Sequence, residues 1–301
     1  MEPARSLRTE YANAVLTGEV PLKLVYCGPL AQFYLDLRRP ERQKNVTSNV
    51  DLELELICKL PTARPTVFVD IGVGDGTHAA QLLKRASSAG IEFSAYMGLD
   101  LSSPLLHAAR HKVSRLHLPI DITTEVWDFE VAPTKVIAAH KREHVVGSSY
   151  LLALLGLTLG NVADPSRTLS NIRRSVSKGD WLLVGLAAPV NDRSQMLAPY
   201  DSDEFRRASL APLTWLGIDT RQIEVRFSYE NGSVVGRFYT LGPIEFRESK
   251  VVVESGSRIT FLRSKRFTMD DVISLCADTG WLVQANKLDN AGDLSVLLRA
   301  D

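Results

Sequence analysis

The chain has 301 residues, 45% hydrophobic and 23% charged, enough to bury a full core and a second lobe. Lysine plus arginine equals aspartate plus glutamate at 35 each, so no net field draws it to nucleic acid or to an anionic membrane. The longest apolar run, Tyr150 to Leu159, is too short to cross a bilayer, and the stretch holding Arg5, Arg8 and Glu10 has no apolar segment of signal-peptide length. Three scattered cysteines, Cys27, Cys58 and Cys276, lack metal spacing; together these features predict a cytoplasmic protein with reduced, mostly buried thiols and no metal centre.

The first strand is expected over Thr66 to Val69, and it breaks into Asp70-Ile71-Gly72-Val73-Gly74-Asp75-Gly76-Thr77 before a helix over His78 to Arg85. Alternating glycines at a strand-to-helix turn let a ligand approach bare backbone where free N–H groups point outward. A dinucleotide fingerprint requires its third glycine one residue later, where Thr77 stands. The Asp-x-Gly-x-Gly-x-Gly spacing instead resembles the first motif of S-adenosylmethionine (SAM)-dependent methyltransferases with a Rossmann-like sheet. Asp70, Gly72, Gly74 and Gly76 are therefore cofactor candidates.

A second strand, Phe93 to Leu99, ends on Asp100, placed to accept hydrogen bonds from ribose hydroxyls. Ser102 or Ser103 with Pro104 is expected to start the next helix, Leu105 to Val113, and Ser102 joins the cofactor set. The third strand, Ile120 to Val126, ends on Trp127-Asp128-Phe129-Glu130, and an acidic residue followed by an aromatic suits adenine. In Ala139 to His144, His140 and His144 stand four apart among charged residues; a solvated loop or helix end is expected rather than a metal site. Strand four, Tyr150 to Leu155, runs into Gly156-Leu157-Thr158-Leu159-Gly160-Asn161, followed by a helix from Pro165 to Val176 and a strand from Trp181 to Ala187. Strand and helix alternate throughout, the pattern of a parallel sheet covered on both faces, with Gly72, Asp100, Asp128 and Asn161 expected at its carboxyl edge.

Beyond Ile223 the rhythm changes. Glu224 to Tyr229 and Ser233 to Tyr239 flank Glu230-Asn231-Gly232, a hairpin signal, and Ile244 to Glu248, Lys250 to Glu254 and Ile259 to Leu262 supply more short strands. Arg263 to Arg266 is a basic cluster, read either as a contact to an acceptor phosphate or carboxylate or as a solvated strand edge. A helix over Met269 to Thr279, a strand over Trp281 to Ala285 and an edge strand over Leu294 to Leu298 return the chain to the sheet. Asn45-Val46-Thr47 and Asn231-Gly232-Ser233 match glycosylation sequons, without meaning for a protein that is not secreted.

With Asp128-Phe129-Glu130 and Leu154 to Asn161 in place, the chain resembles the histidine-specific N-methyltransferase family of ergothioneine biosynthesis. Leu24 to Gly28, Pro199-Tyr200-Asp201 with Phe205, and Arg263 to Thr268 resemble three further segments of that family, so the likeness runs from about Leu22 to Arg299. It implies an α/β fold: a Rossmann-like SAM-binding core, 62–195 completed by 267–301, with a β-rich cap, 196–266, joined by the N-terminal helical segment, 1–61. It implies SAM held by Asp70, Gly72, Gly74, Gly76, Asp100, Ser102, Asp128 and Phe129, with S-adenosylhomocysteine (SAH) as product. Asn161 and Tyr200 are the implied catalytic residues, gripping the amino and carboxylate end of an amino acid, and Tyr26, Leu262 and Ser264 complete the implied acceptor set.

The chain departs from the family in places. Leu262 replaces the glutamate that holds the imidazole ring, His78 replaces a cofactor-side lysine, and Arg39 to Gln43 replaces a Glu-Tyr-Tyr-Pro-Thr segment. The expected activity is therefore N-methylation of an amino acid or amino-acid-derived amine other than histidine. Methylation of a hydroxyl, carbon or peptide, or a SAM-binding partner without turnover, are the alternatives. A small-molecule acceptor is the only partner expected, and oligomeric state stays open.

Overall fold

The computed structural model describes residues 2–37, 50–61, 66–143, 149–246 and 251–301. The chain forms two compact units, Met1–Asn45 with Pro189–Arg266 and Val46–Ala188 with Phe267–Asp301. The first unit opens with α1 (Glu2–Leu16) and α2 (Leu30–Leu37). The second takes over with α3 (Val50–Ile57), β1 (Val67–Ile71), α4 (Thr77–Ser88), β2 (Ala95–Asp100), α5 (Ser103–Ser114) and β3 (Asp121–Val126). It continues through α6 (Val136–Glu143), β4 (Tyr150–Leu154), α7 (Thr158–Asn161), α8 (Pro165–Arg174) and β5 (Trp181–Ala187). The chain then returns to the first unit for α9 (Arg193–Leu197), α10 (Asp203–Trp215), β6 (Ile223–Glu230), β7 (Ser233–Thr240), β8 (Ile244–Phe246), β9 (Val251–Val253) and β10 (Arg258–Lys265). Finally α11 (Met269–Thr279), β11 (Trp281–Leu288) and β12 (Asp293–Ala300) complete the second.

In the second unit seven strands form one sheet in the order β11-β12-β5-β4-β1-β2-β3. The strands β3, β2, β1, β4 and β5 are parallel, whereas β12 runs antiparallel to both β5 and β11. Every residue of β1, β2 and β4 is buried, as expected of central strands covered on both faces, while the edge strand β3 is largely exposed. One core, including Ile71, Leu154, Val184 and Phe267, fills one side, and another, including Phe68, Leu83, Leu151 and Leu183, the other. The order reverses between β4 and β1, which opens the ligand crevice at their carboxyl ends.

Three differences from the sequence reading have physical causes. The strand beginning at Leu294 is interior, not an edge: Leu294, Val296, Leu297 and Leu298 bury both of its faces, and the half-exposed alternation of β11 marks the true edge. The segment Val50–Ile57 belongs to the sheet-bearing unit rather than to the lobe expected over 1–61, because Val50, Leu56 and Ile57 are buried in the core containing Phe68 and Leu83. The strand expected over Ile259 to Leu262 is longer, extends to Lys265 and pairs with β7 across a bulge between Thr260 and Leu262.

The first unit has its own core, drawn from α1, β6, β7 and β10, with Tyr11, Phe238 and Leu262 buried in it. The β6–β7 turn places Asn231 at φ 48° and Gly232 at φ 74°, the left-handed pair of a two-residue hairpin, which accounts for the second sequon. Strands β8 and β9 form a separate antiparallel pair; Lys250, like His144, Arg39 to Gln43 and Asn45 to Thr47, lies outside the described residues. Cysteine burial is less than expected: Cys276 is buried, Cys27 half-buried and Cys58 exposed.

Candidate functional site

The glycine loop is built by left-handed backbone. Gly72, Gly74 and Gly76 have φ of 69°, 54° and 76°, values that side chains disfavour. The Gly72 N–H donates to the Leu99 carbonyl at 2.8 Å, which ties the loop to the end of β2. A Cβ on Gly72 would lie 3.5 Å from both the Phe129 ring and the Thr158 methyl, so the bare backbone there faces the ends of β3 and β4. At Gly76 the missing Cβ has a different reason: it would sit 2.5 Å from Ala109 Cα, so α4 approaches α5 only through glycine. Asp75 braces the turn by accepting from Thr77 N–H at 3.1 Å and from Lys112 Nζ at 2.8 Å. Burial alone would raise its carboxyl, but Lys112 and Thr77 outweigh burial and hold it below its ordinary range.

Two carboxylates stand behind the loop. Asp70 is buried on β1 and accepts from the Tyr96 hydroxyl at 2.8 Å; burial pushes its carboxyl up to about 7 despite that bond. Asp100 is pushed by burial up to about 6, against the pull of backbone N–H groups from Ser102, Gly74, Leu101 and Val73. Those donors come from the first two strand ends, so Asp100 and the glycine loop share one set of bonds.

Ser102 has the backbone of a helix N-cap but makes no capping bond, and its buried hydroxyl has no partner. Phe129 is buried edge-on to Trp127, with its carbonyl held by Asn171 Nδ2 at 2.9 Å, while the neighbouring Asp128 carboxylate accepts from Glu130 N–H at 3.0 Å. Asn161 ends the short helix α7, and its Oδ1 is buried without a hydrogen-bond partner. The turn before it passes close to β5, where a Cβ on Gly185 would lie 2.8 Å from the Gly156 carbonyl.

Glu53 is fully buried on α3 with Oε2 2.7 Å from His78 Nε2, and its Oε1 has no partner. The sequence signal for Glu53 was a lone carboxylate on a face otherwise made of Val50, Leu56 and Ile57. His140 is not solvated as expected: it is buried, with Nδ1 2.6 Å from the Tyr150 hydroxyl. No cluster of metal-ligating side chains occurs among the described residues.

The loop, the Asp100 carboxylate, the unpartnered Ser102 hydroxyl and the Asp128-Phe129 pair fit a nucleoside-bearing cofactor. Backbone N–H groups, a ribose-facing acceptor and an aromatic wall lie on consecutive strand ends.

The remaining candidates lie in the first unit. Tyr26 ends a 3₁₀ turn, Leu22–Tyr26, and meets the Tyr34 ring edge-on at 5.1 Å. Tyr200 is buried against Phe205 and Phe227, at centroid distances of 5.2 and 5.8 Å. Leu262 and Ser264 are buried on β10, two residues apart and hence on one face. Ser264 and Tyr200 are brought together by Arg266, which donates to Ser264 Oγ at 3.0 Å and to the Tyr200 hydroxyl at 3.1 Å. Arg266 is therefore buried, not part of a solvated edge; of the basic cluster, Arg263 is the exposed member and pairs with Glu19 at 2.9 Å.

A family model described as histidine-specific methyltransferase, SAM-dependent, matches residues 53–300. A trans-aconitate 2-methyltransferase from Methylobacterium radiotolerans is 28% identical over 158 residues, 48% of this chain and 57% of that protein. The chain thus matches just over half the length of that curated relative. Among solved structures, the CcbJ methyltransferase from Streptomyces caelestis superposes with a TM-score of 0.47 at 13% identity, covering 90% of this chain and 96% of that one. CalS10, an amino pentose methyltransferase from Micromonospora echinaspora, gives a TM-score of 0.42 at 16% identity, covering 84% and 92%.

Proposed function

The chain belongs to the family of histidine-specific, SAM-dependent methyltransferases, and we propose that it methylates the amine of an amino acid or amino-acid-derived small molecule other than histidine. The observation that carries this reading is the buried, unpartnered Oδ1 of Asn161. A carboxamide oxygen only accepts, so a buried one without a donor calls for an N–H or O–H from a ligand. An acceptor amine supplies that donor.

SAM, when bound, supplies an electrophilic methyl group on a sulfonium. Asp70, Gly72, Gly74, Gly76, Asp100, Ser102, Asp128 and Phe129 are the residues proposed to hold it. Transfer is a direct displacement without a covalent enzyme intermediate, so the protein contributes position and exclusion of water. Asn161 is proposed to orient the amine through Oδ1, and Tyr200 is assigned to the acceptor by its match to the family. Tyr26 and Ser264 are assigned to the acceptor by their match to the family. Leu262, where the family has an imidazole-binding glutamate, leaves an imidazole without its charge-assisted hydrogen bond, worth about 1.5–3 kcal/mol, and this favours an acceptor other than histidine.

Calorimetry of SAH followed by an L-amino-acid panel tests the reading. SAH binding lost in Asp100→Ala, and one amino acid whose affinity falls about 10- to 100-fold in Asn161→Ala, would support it. SAH binding with no response to any amine would overturn it. The 28%-identical relative favours a second reading, methyl-ester formation on a polycarboxylate. Mild base separates the two, since an ester product is hydrolysed and an N-methyl product is not.

A further inference from the structure

Arg266 is the one lysine or arginine buried among the described residues. A guanidinium stays protonated in proteins and carries five N–H donors in a planar fork suited to a carboxylate. Here two of those donors meet only neutral hydroxyls, Ser264 Oγ and Tyr200 Oη. The guanidinium carbon lies 5.9 Å from the Tyr200 ring centroid, and the Arg266 backbone N–H is fixed to the Gly232 carbonyl at 2.8 Å. No carboxylate of the described residues forms an ion pair with it. The two hydroxyls, each accepting from Arg266, keep their own hydrogens without an acceptor among the described residues. The cluster is a buried positive charge with two hydroxyl donors and no anion. Buried charges are ordinarily paired.

We propose that the acceptor carries a carboxylate that pairs with Arg266, with the Tyr200 and Ser264 hydroxyls as further donors to it. This deepens the amine-acceptor reading and rests on it only for the choice of amino acids as first probes. Leu262, Ser264 and Arg266 follow one another at strand spacing, so the carboxylate subsite adjoins an apolar side chain, whereas Arg263 on the opposite face is already matched to Glu19. The specificity that follows is sharp: an acid is accepted, while its carboxamide or decarboxylated amine leaves the guanidinium unpaired.

The test is calorimetric titration of the full chain, saturated with SAH, with each L-amino acid, with its carboxamide, and with succinate as an amine-free carboxylate. The expected result is an acid that binds about 100-fold more tightly than its carboxamide, with that gap collapsing in Arg266→Gln and partly restored in Arg266→Lys. SAH affinity, titrated separately into the unliganded chain, stays unchanged in both variants, and an unchanged urea midpoint of the Trp215 fluorescence shows that the unit carrying Arg266 is folded. Succinate binding that is lost in Arg266→Gln, with no amino acid binding, would keep the carboxylate subsite and sink the amine reading. A carboxamide that binds as tightly as its acid overturns the subsite, and the wild-type protein alone decides this even if the variants do not fold. So does a panel in which neither amino acids nor succinate bind.

Discussion

Asp100 and Asp70 make the glycine-loop region sensitive to pH in opposite ways for binding and for folding. With its carboxyl pushed up to about 6, Asp100 is protonated below that pH, and a protonated carboxyl is a poorer acceptor for ribose hydroxyls. SAH affinity measured by calorimetry should therefore fall by up to about tenfold per pH unit below 6, and Asp100→Asn should give a weaker affinity that lacks this fall. For folding the sign reverses. Asp70, at about 7 when folded against roughly 3.9 when unfolded, holds protons more tightly in the native state. Its contribution is fully present below about pH 4 and is lost as pH rises to about 7. Urea midpoints of the cofactor-free protein should fall across that window, and Asp70→Asn should flatten the decline. The loop glycines also separate. Gly76→Ala should lower stability by several kcal/mol, measured by urea unfolding, because its Cβ meets Ala109 backbone. Gly72→Ala should cost about 1–2 kcal/mol through its φ of 69°. Its larger effect should be on SAH binding.

At the scale of elements, α11 is fixed at its N-terminus by local hydrogen bonds. Thr268 accepts from Asp271 N–H at 3.1 Å while the Asp271 carboxylate accepts from Thr268 N–H at 2.9 Å, a complete capping box. Thr268→Ala should cost about 1 kcal/mol in a urea titration. The helix Met269–Thr279 and the strand Trp181–Ala187 were legible to the residue because caps, turns and apolar runs coincide there. The β-hairpin was legible from Asn231-Gly232 for the same reason. Strand order is not: periodicity says how many faces of a strand are buried but not which neighbour covers its edge, so the strand expected at the edge, Leu294 to Leu298, lies between β5 and β11. In the candidate site, glycines and strand-end carboxylates announce themselves by spacing. Arg266 and Glu53 do not, since a charge at a buried position looks in sequence like a charge at a surface one. Only the fold separates Arg266 from the exposed Arg263 three residues earlier.

Across the whole molecule, the two units have separate hydrophobic cores, and the proposed cofactor residues lie in one of them. SAH at 100 times its dissociation constant should stabilise that unit by about 2.7 kcal/mol. Hydrogen exchange should show this as slowed amides in β1 and β4, with little change in β6 and β7. Fluorescence gives an independent check. Trp215 is the tryptophan of the first unit, while Trp127, Trp181 and Trp281 belong to the second. A variant keeping only Trp215 should report an unfolding midpoint that SAH moves less than it moves the midpoint of a variant keeping only Trp181.

The placement of β12 between β5 and β11 has a consequence for synthesis on the ribosome. The first unit holds all of its sequence once Arg266 has emerged, when the second still lacks residues 267–301. The second must wait for residues 293–300, because β12 alone supplies the antiparallel partner that β5 uses over its whole length. A nascent chain stalled before that point would expose the unpaired edge of β5, the strand Trp181–Ala187, to other chains.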